Sequence, residues 1–310
     1  MNGWFMWHPE KFPPSPSINP LFVSFHIVPR IADTMLSPKT VESLKQYEPI
    51  GARDMGTMKL LEDHGVKSYF SNCLTLTLGL KYKQPVHDGG IIFVDPICEM
   101  GGNPEKSKLL RLGRAVCLAF KHWRSVKKLL PIFSLNFNTR IGLLSKQLEK
   151  RLMCASFYDV YSKAFSDDVL FNAEYITHEM DQSLFGGDED KMNCAKELII
   201  KYGKAKYIIT SRIHCALPCL AVETPVFFVT SDNFESGKMR TGGRLGGIID
   251  LFHVLRYTPN GIEIKRDGLP GFKDKLDYSY SFKNKDDYMV YAEKLEEIVA
   301  TFIKENVNKK

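Results

Sequence analysis

The chain has 310 residues, 44% of them hydrophobic and 25% charged, with a formal net charge of +6. That length is more than one compact core usually holds, so two domains are expected. The modest positive charge suits anionic ligands or an anionic membrane surface and is too weak to argue for nucleic acid.

Residues 3–6 read as a short apolar strand, followed by a loop carrying Pro9, Pro13, Pro14, Pro16 and Pro20. A second strand is expected over 21–27, and Pro38 opens a helical stretch with Val41 and Leu44 three apart. Residues 49–52 look like a strand end. Arg53 and Asp54 follow, then a helix with Met55, Met58, Leu60 and Leu61 apolar. Gly65 stops it, and a strand resumes over 66–70. Arg53 therefore stands in the first turn after a strand. The plainer reading there is an Asp54 cap beside a solvated arginine.

Composition shifts at the HDGG run of 87–90, and IIFVD at 91–95 begins a new buried strand. The expected division is 1–87, a shortened N-terminal Rossmann-like domain on the acceptor side; 88–285, a C-terminal Rossmann-like domain on the donor side; and 286–310, a terminal helix packing on the domains. Residues 105–130 form a basic helical region, with an apolar stripe of Leu109, Leu112, Val116, Phe120 and Trp123. Such a helix can lie on an anionic bilayer; it can equally be a solvated basic face over a core stripe. Residues 131–172 carry little pattern, with Tyr158, Tyr161 and Phe165 assigned to the core. A strand over 173–178 ends in His178, and a helix marked by Met192, Ala195, Leu198, Ile199 and Tyr202 closes at Gly203.

Residues 207–229 make a strand–helix–strand unit of a parallel sheet, in which ligands sit outside the carboxyl ends of the strands. Thr210 or Ser211 is expected to cap the helix. Arg212 and His214 fall in its first turn, where N–H groups and the dipole already favour an anion. A forked guanidinium beside an imidazole suits a phosphate or carboxylate. The plainer alternative makes Arg212 a surface cap and His214 an ordinary helical histidine. After residue 229 a glycine-rich loop carries Lys238, Arg240 and Arg244, without strict phosphate-loop spacing. Residues 248–255 are a short apolar element. The end of the chain places Tyr291, Leu295, Ile298 and Phe302 at helical spacing.

The seven cysteines, an odd number mostly in apolar runs, fit free thiols in a reducing cytoplasm better than a disulfide scaffold. No Cys/His pairing makes a zinc site, so no metal is expected. No signal peptide opens the chain, and no apolar run is long enough to span a bilayer.

Three stretches resemble the polysaccharide pyruvyl transferase family. GARD at 51–54 with Thr57, Leu60, Leu61, His64 and Gly65 is similar to its R-[DE]-x-x-[ST] motif. SRIH at 211–214, followed by Ala216, Leu217, Pro218 and TPV at 224–226, is similar to its S-R-x-H motif and the strand after it. Arg244 and Leu245 with Gly247, Ile249 and Asp250 resemble its R-x-x-G-[LI]-[LI]-D segment. Two departures are read from the sequence: the β–α segment with a Gly-rich turn that usually opens the family is expected to be missing, and Cys215 stands where the family usually has a small residue, often Gly.

The resemblance implies an α/β fold of two Rossmann-like domains facing across a GT-B-like cleft, the N-terminal one shortened. It implies phosphoenolpyruvate as donor substrate, ketal formation on a sugar diol in polysaccharide biosynthesis, and no cofactor. Arg53, Arg212 and Ile213 are then assigned to the donor, His214 is the general acid, and His178, Lys238 and Arg244 are further phosphate contacts. Competing readings are a GT-B glycosyltransferase using a sugar nucleotide and a non-catalytic sugar- or anion-binding relative. The protein is expected in the cytoplasm. Residues 106–128 offer peripheral contact with an anionic membrane at its inner face, which suits a lipid-linked acceptor. No nucleic-acid partner is expected.

Overall fold

A computed structural model describes residues 5, 7–135, 144–231, 243–264, 269 and 275–307. The chain is a mixed α/β protein that divides into two compact units. The first comprises Met1–Leu80, Asn233–Leu251 and Lys285–Lys310; the second comprises Lys81–Asp232 and Phe252–Asn284.

The first unit carries helix α1 (Pro38–Lys45), strand β1 (Ile50–Ala52), helix α2 (Met55–Asp63) and strand β2 (Ser68–Phe70). β1 and β2 pair in parallel, Ile50 opposite Ser68 and Ala52 opposite Phe70. The strand expected over 21–27 does not form: only a single bridge joins Phe25 to Ala52. Ser24 breaks the run with a φ of 54°, a conformation no strand tolerates. Phe22, Phe25 and Ile27 are apolar because they fill the core with Phe12, Met35, Leu44 and Ile50. Gly3, Trp4 and Met6 of the first expected strand lie outside the described residues. α2 ends as its sequence requires, with Gly65 at a φ of 71° just past the last turn.

The second unit runs β3 (Ile91–Val94), α3 (Lys108–Lys121), α4 (Trp123–Leu129), α5 (Lys146–Tyr161), α6 (Asp167–Asn172), β4 (Glu174–Ile176), α7 (Asp188–Lys204), β5 (Tyr207–Thr210), α8 (Ile213–Ala221), β6 (Val226–Thr230), β7 (His253–Thr258) and β8 (Gly261–Ile264). Its strands form one sheet in the order β4-β3-β5-β6-β7-β8. All neighbours are parallel except the β7–β8 hairpin. Ile91, Phe93, Tyr207, Ile209, Phe227 and Val229 share one core with Leu152, Phe157 and Tyr161 of α5. The alternate residues Ile92, Ile208 and Phe228 are buried too, so both faces of the sheet are covered. This is why these strands read as unbroken apolar runs.

The terminal helix α9 (Asp287–Val307) belongs to the first unit, where Tyr291 meets Phe70 edge-to-face at 5.3 Å. All seven cysteines are free. No helix among the described residues is long and apolar enough to cross a membrane.

Candidate active site

In the second unit the carboxyl ends of neighbouring strands β4, β3 and β5 gather a polar cluster. Asp95 follows β3 with a φ of 39°, rare for a residue with a side chain, and is buried. Its Oδ2 accepts from the His178 N–H at 2.8 Å and from Arg212 Nε at 3.0 Å. Its backbone carbonyl accepts from the Ser211 hydroxyl. Arg212 Nη2 donates to Glu179 Oε1 at 2.8 Å. The guanidinium fork thus spans two carboxylates, and 41% of its side chain stays exposed. Burial works against the charge on Arg212, but the bonds to Glu179 and Asp95 outweigh it and raise its pKa.

Arg212 itself is the N-cap of α8, in an extended conformation, so neither Thr210 nor Ser211 holds that position. Thr210 Oγ1 instead accepts from the Arg212 N–H at 3.0 Å. Every residue of α8 is buried except His214, which is exposed in the first turn. A helix apolar on all sides packs into a core; His214 is the one residue of α8 that is exposed, at the end nearest the rim of the sheet. Pro218 has no N–H to give the carbonyl of His214 four residues earlier. The Ile213 side chain is in the core; only its backbone faces the helix start.

His178 sits beyond the end of β4, its Nε2 2.6 Å from the Tyr202 hydroxyl. Burial lowers its pKa, Asp95 opposes this, and Arg212 adds to it. The folded state therefore refuses a proton that the unfolded chain accepts. Stability is held above the unfolded value of about 6.5 and lost as pH falls from there through the lowered folded value. We expect the melting temperature to drop on acidification from about pH 7 to about pH 5, and the drop to be smaller in His178→Gln. Parallel pH dependence in the two proteins would remove His178 as a source.

The first unit builds a second cluster, at the carboxyl end of β1. Arg53 is only 7% exposed. Its backbone N–H bonds the Phe25 carbonyl at 2.8 Å, which fixes where the side chain starts. Asp54 caps α2 by accepting from the Thr57 N–H at 2.9 Å. The same carboxylate meets His26 Nδ1 at 2.6 Å and Arg53 Nη2 at 3.4 Å. Asp54 is thus a cap, but Arg53 is not solvated.

Among the described residues, Nε and Nη2 of Arg53 have no hydrogen-bond partner, and Nη2 meets Asp54 only as an ion pair at 3.4 Å. Each buried donor left this way costs about 1–3 kcal/mol. Burial lowers the Arg53 pKa; Asp54 and Cys73 oppose this, and the nearby charge of Arg244 adds to it. Arg244 arrives because the segment around it lies on the start of α2: Met55 N–H bonds the Gly246 carbonyl at 3.0 Å. Gly56 permits that approach, since a Cβ there would lie 2.7 Å from the Gly243 carbonyl oxygen. Among the described residues, Ser24 Oγ and Asn72 Nδ2 are also buried without a hydrogen-bond partner. Ser24 N–H bonds Ser71 Oγ at 3.0 Å, and Ser71 N–H bonds the Ala52 carbonyl at 2.8 Å, so both belong to the strand end that launches Arg53.

A family model described as polysaccharide pyruvyl transferase matches residues 23–233. The chain belongs to the polysaccharide pyruvyl transferase family. No curated protein and no solved structure gives a significant match. The matched span holds Arg53, His178, Arg212, Ile213 and His214, while Lys238 and Arg244 fall after it. Lys238 lies outside the described residues. Among the described residues, no three or more His, Cys, Asp or Glu side chains stand together as a metal site.

Sequence reasoning did not single out Asp95, Glu179, His26, Ser24 or Asn72. Asp95 had a signal: an acid directly after a buried parallel strand points to the rim. His26 and Asn72 had none, because only the fold places them beside β1.

Proposed function

We propose that this chain transfers the enolpyruvyl group of phosphoenolpyruvate to a sugar diol, giving a cyclic pyruvate ketal and inorganic phosphate. Family membership supports a transferase acting on a polysaccharide substrate. The observation that carries the donor side is Arg53. A buried guanidinium whose Nε and Nη2 have no hydrogen-bond partner among the described residues, next to a second arginine and with one carboxylate at 3.4 Å, is held at a cost that an anion lowers. Phosphoenolpyruvate puts a phosphate and a carboxylate on one small frame. The reading assigns Arg53 and Arg244 from the first unit, and Arg212 with the N–H groups opening α8 from the second, to the same donor.

In the reaction, protonated His214 gives its proton to the methylene carbon of the donor. The central carbon becomes electrophilic, a sugar hydroxyl adds to it, and that hydroxyl proton returns to the imidazole. The bond from the central carbon to the phosphate oxygen then breaks, and phosphate leaves with the electron pair. The second hydroxyl adds in its place, and its proton departs with phosphate. Developing charge on phosphate is met by the arginines.

A thermal-shift comparison of phosphoenolpyruvate with sugar nucleotides tests the reading. A ligand at about 100 times its Kd adds about 2.7 kcal/mol of stability, a readily measured shift. Stabilisation by sugar nucleotides and none by phosphoenolpyruvate would hand the site to a glycosyltransferase. Arg212→Lys is expected to weaken donor binding, because an ammonium cannot hold Asp95 and Glu179 in one plane and still face a ligand. Saturation at the wild-type donor concentration would count against that role.

A further inference from the structure

Helix α3 has an apolar side that the core does not use. Ala115 and Leu118 are the residues it buries. At about 100° per residue, Leu109, Val116 and Phe120 fall within about 40° of one another on the opposite side. They are not covered: Leu109 is 79% exposed, Phe120 77%, and Trp123 at the start of α4 57%. Between α3, α4 and the first turns of α5 lies a groove of ≈ 520 Å³. Phe120, Trp123 and Leu148 line it together with buried Val126 and Leu152, and Lys127 and Arg151 stand in the same lining.

The charge around this groove is one-sided. The described residues between 104 and 151 hold 11 Lys and Arg against 2 acids, Glu105 and Glu149. Some of the cations are committed, Arg111 to Glu99 and Lys121 to Asp159. Arg124 lies over the Trp123 ring at 5.3 Å. Lys127, Lys150 and Arg151 are exposed and form no ion pair among the described residues.

Single exposed apolar residues need no account, but a contiguous aromatic and aliphatic patch marks an interaction surface. A second copy of this face is a poor partner, because pairing would press like charges together. An anionic bilayer meets both features at once: its headgroups neutralise Lys and Arg, and its interface takes Trp, Phe and Leu. We propose that this face docks on an anionic lipid bilayer. Leu109, Phe120 and Trp123 enter the boundary between headgroups and acyl chains, and Arg124, Lys127, Lys150 and Arg151 meet the headgroups. The inference rests on the surface alone and is independent of the donor chemistry.

The test is flotation of the full chain with vesicles of phosphatidylcholine alone, or of phosphatidylcholine mixed with phosphatidylglycerol, at low and high salt. Binding is expected only to the mixed vesicles, with release at high salt. Phe120→Ser combined with Trp123→Ser is expected to lower partition about tenfold or more. Lys127→Glu and Arg151→Glu should each cost at least about fivefold, an independent arm if the first variant misfolds. Equal binding to both vesicle types, or none to either at low salt, would overturn the proposal. So would a dimer in sedimentation that Phe120→Ser dissociates, since the face would then join two copies.

Discussion

Replacing Arg53 by methionine is expected to leave the melting temperature unchanged or raise it, while abolishing the stabilisation that phosphoenolpyruvate gives the wild-type protein. The two halves of this outcome have one cause. Arg53 is buried close to Arg244, its Nε and Nη2 have no hydrogen-bond partner among the described residues, and its ion pair with Asp54 is long, at 3.4 Å. Exchanging a poorly compensated buried charge for an apolar side chain of similar length is commonly neutral or stabilising by about 1–4 kcal/mol. Each kcal/mol corresponds to about 2–4 °C in a domain of this size class. Asp54 keeps its other partners, His26 Nδ1 at 2.6 Å and the Thr57 N–H at 2.9 Å, so no orphaned carboxylate offsets the gain. The donor loses two charge-assisted hydrogen bonds, about 1.5–3 kcal/mol each, or about 10²-fold or more in Kd. A purely structural arginine gives the opposite pattern: a melting temperature several degrees lower and unchanged ligand response.

His214→Gln is expected to lower kcat by about 10²–10⁴-fold while the donor Kd moves only a few-fold. Glutamine preserves size and hydrogen bonding but cannot carry a proton to carbon. His214 is the exposed residue of an otherwise buried helix, so the exchange opens no cavity in the core. Single-turnover release of phosphate separates the chemical step from binding. Turnover within a factor of a few of the wild type would take His214 out of the reaction.

The strands of the second unit were legible because a parallel sheet covered on both faces demands unbroken apolar runs, and IIFV, YIIT and VFFVT are such runs. Residues 21–27 carry a similar run and form no strand. Their burial comes from the core around Phe12 and Phe25, and Ser24 bends the backbone out of extension. Helix α5 escaped notice for a related reason. From Leu152 to Tyr161 every residue is buried, so no polar stripe marks its period. For α3 the sequence could not say which apolar side faces inward, because both sides carry apolar residues. The structure buries Ala115 and Leu118 and leaves Leu109 and Phe120 outside.

At the site, Arg212 and Arg53 look alike in sequence, each an arginine just after a strand. Their surroundings differ in charge. Arg212 is balanced by Asp95 and Glu179, two acids that reach it from neighbouring strand ends. Arg53 shares one carboxylate with His26 and has Arg244 beside it. No local pattern distinguishes the two, because the acids at Arg212 and the arginine beside Arg53 come from far along the chain. On charge balance, the stronger demand for an anion sits at Arg53.

The most direct measurement is a calorimetric titration of phosphoenolpyruvate into the wild-type chain and into Arg53→Met. The account predicts one binding event per chain in the wild type, displaced by inorganic phosphate, and a loss of about 10²-fold or more in the variant. Equal affinity in both proteins, or heat from a sugar nucleotide where phosphoenolpyruvate gives none, would contradict it.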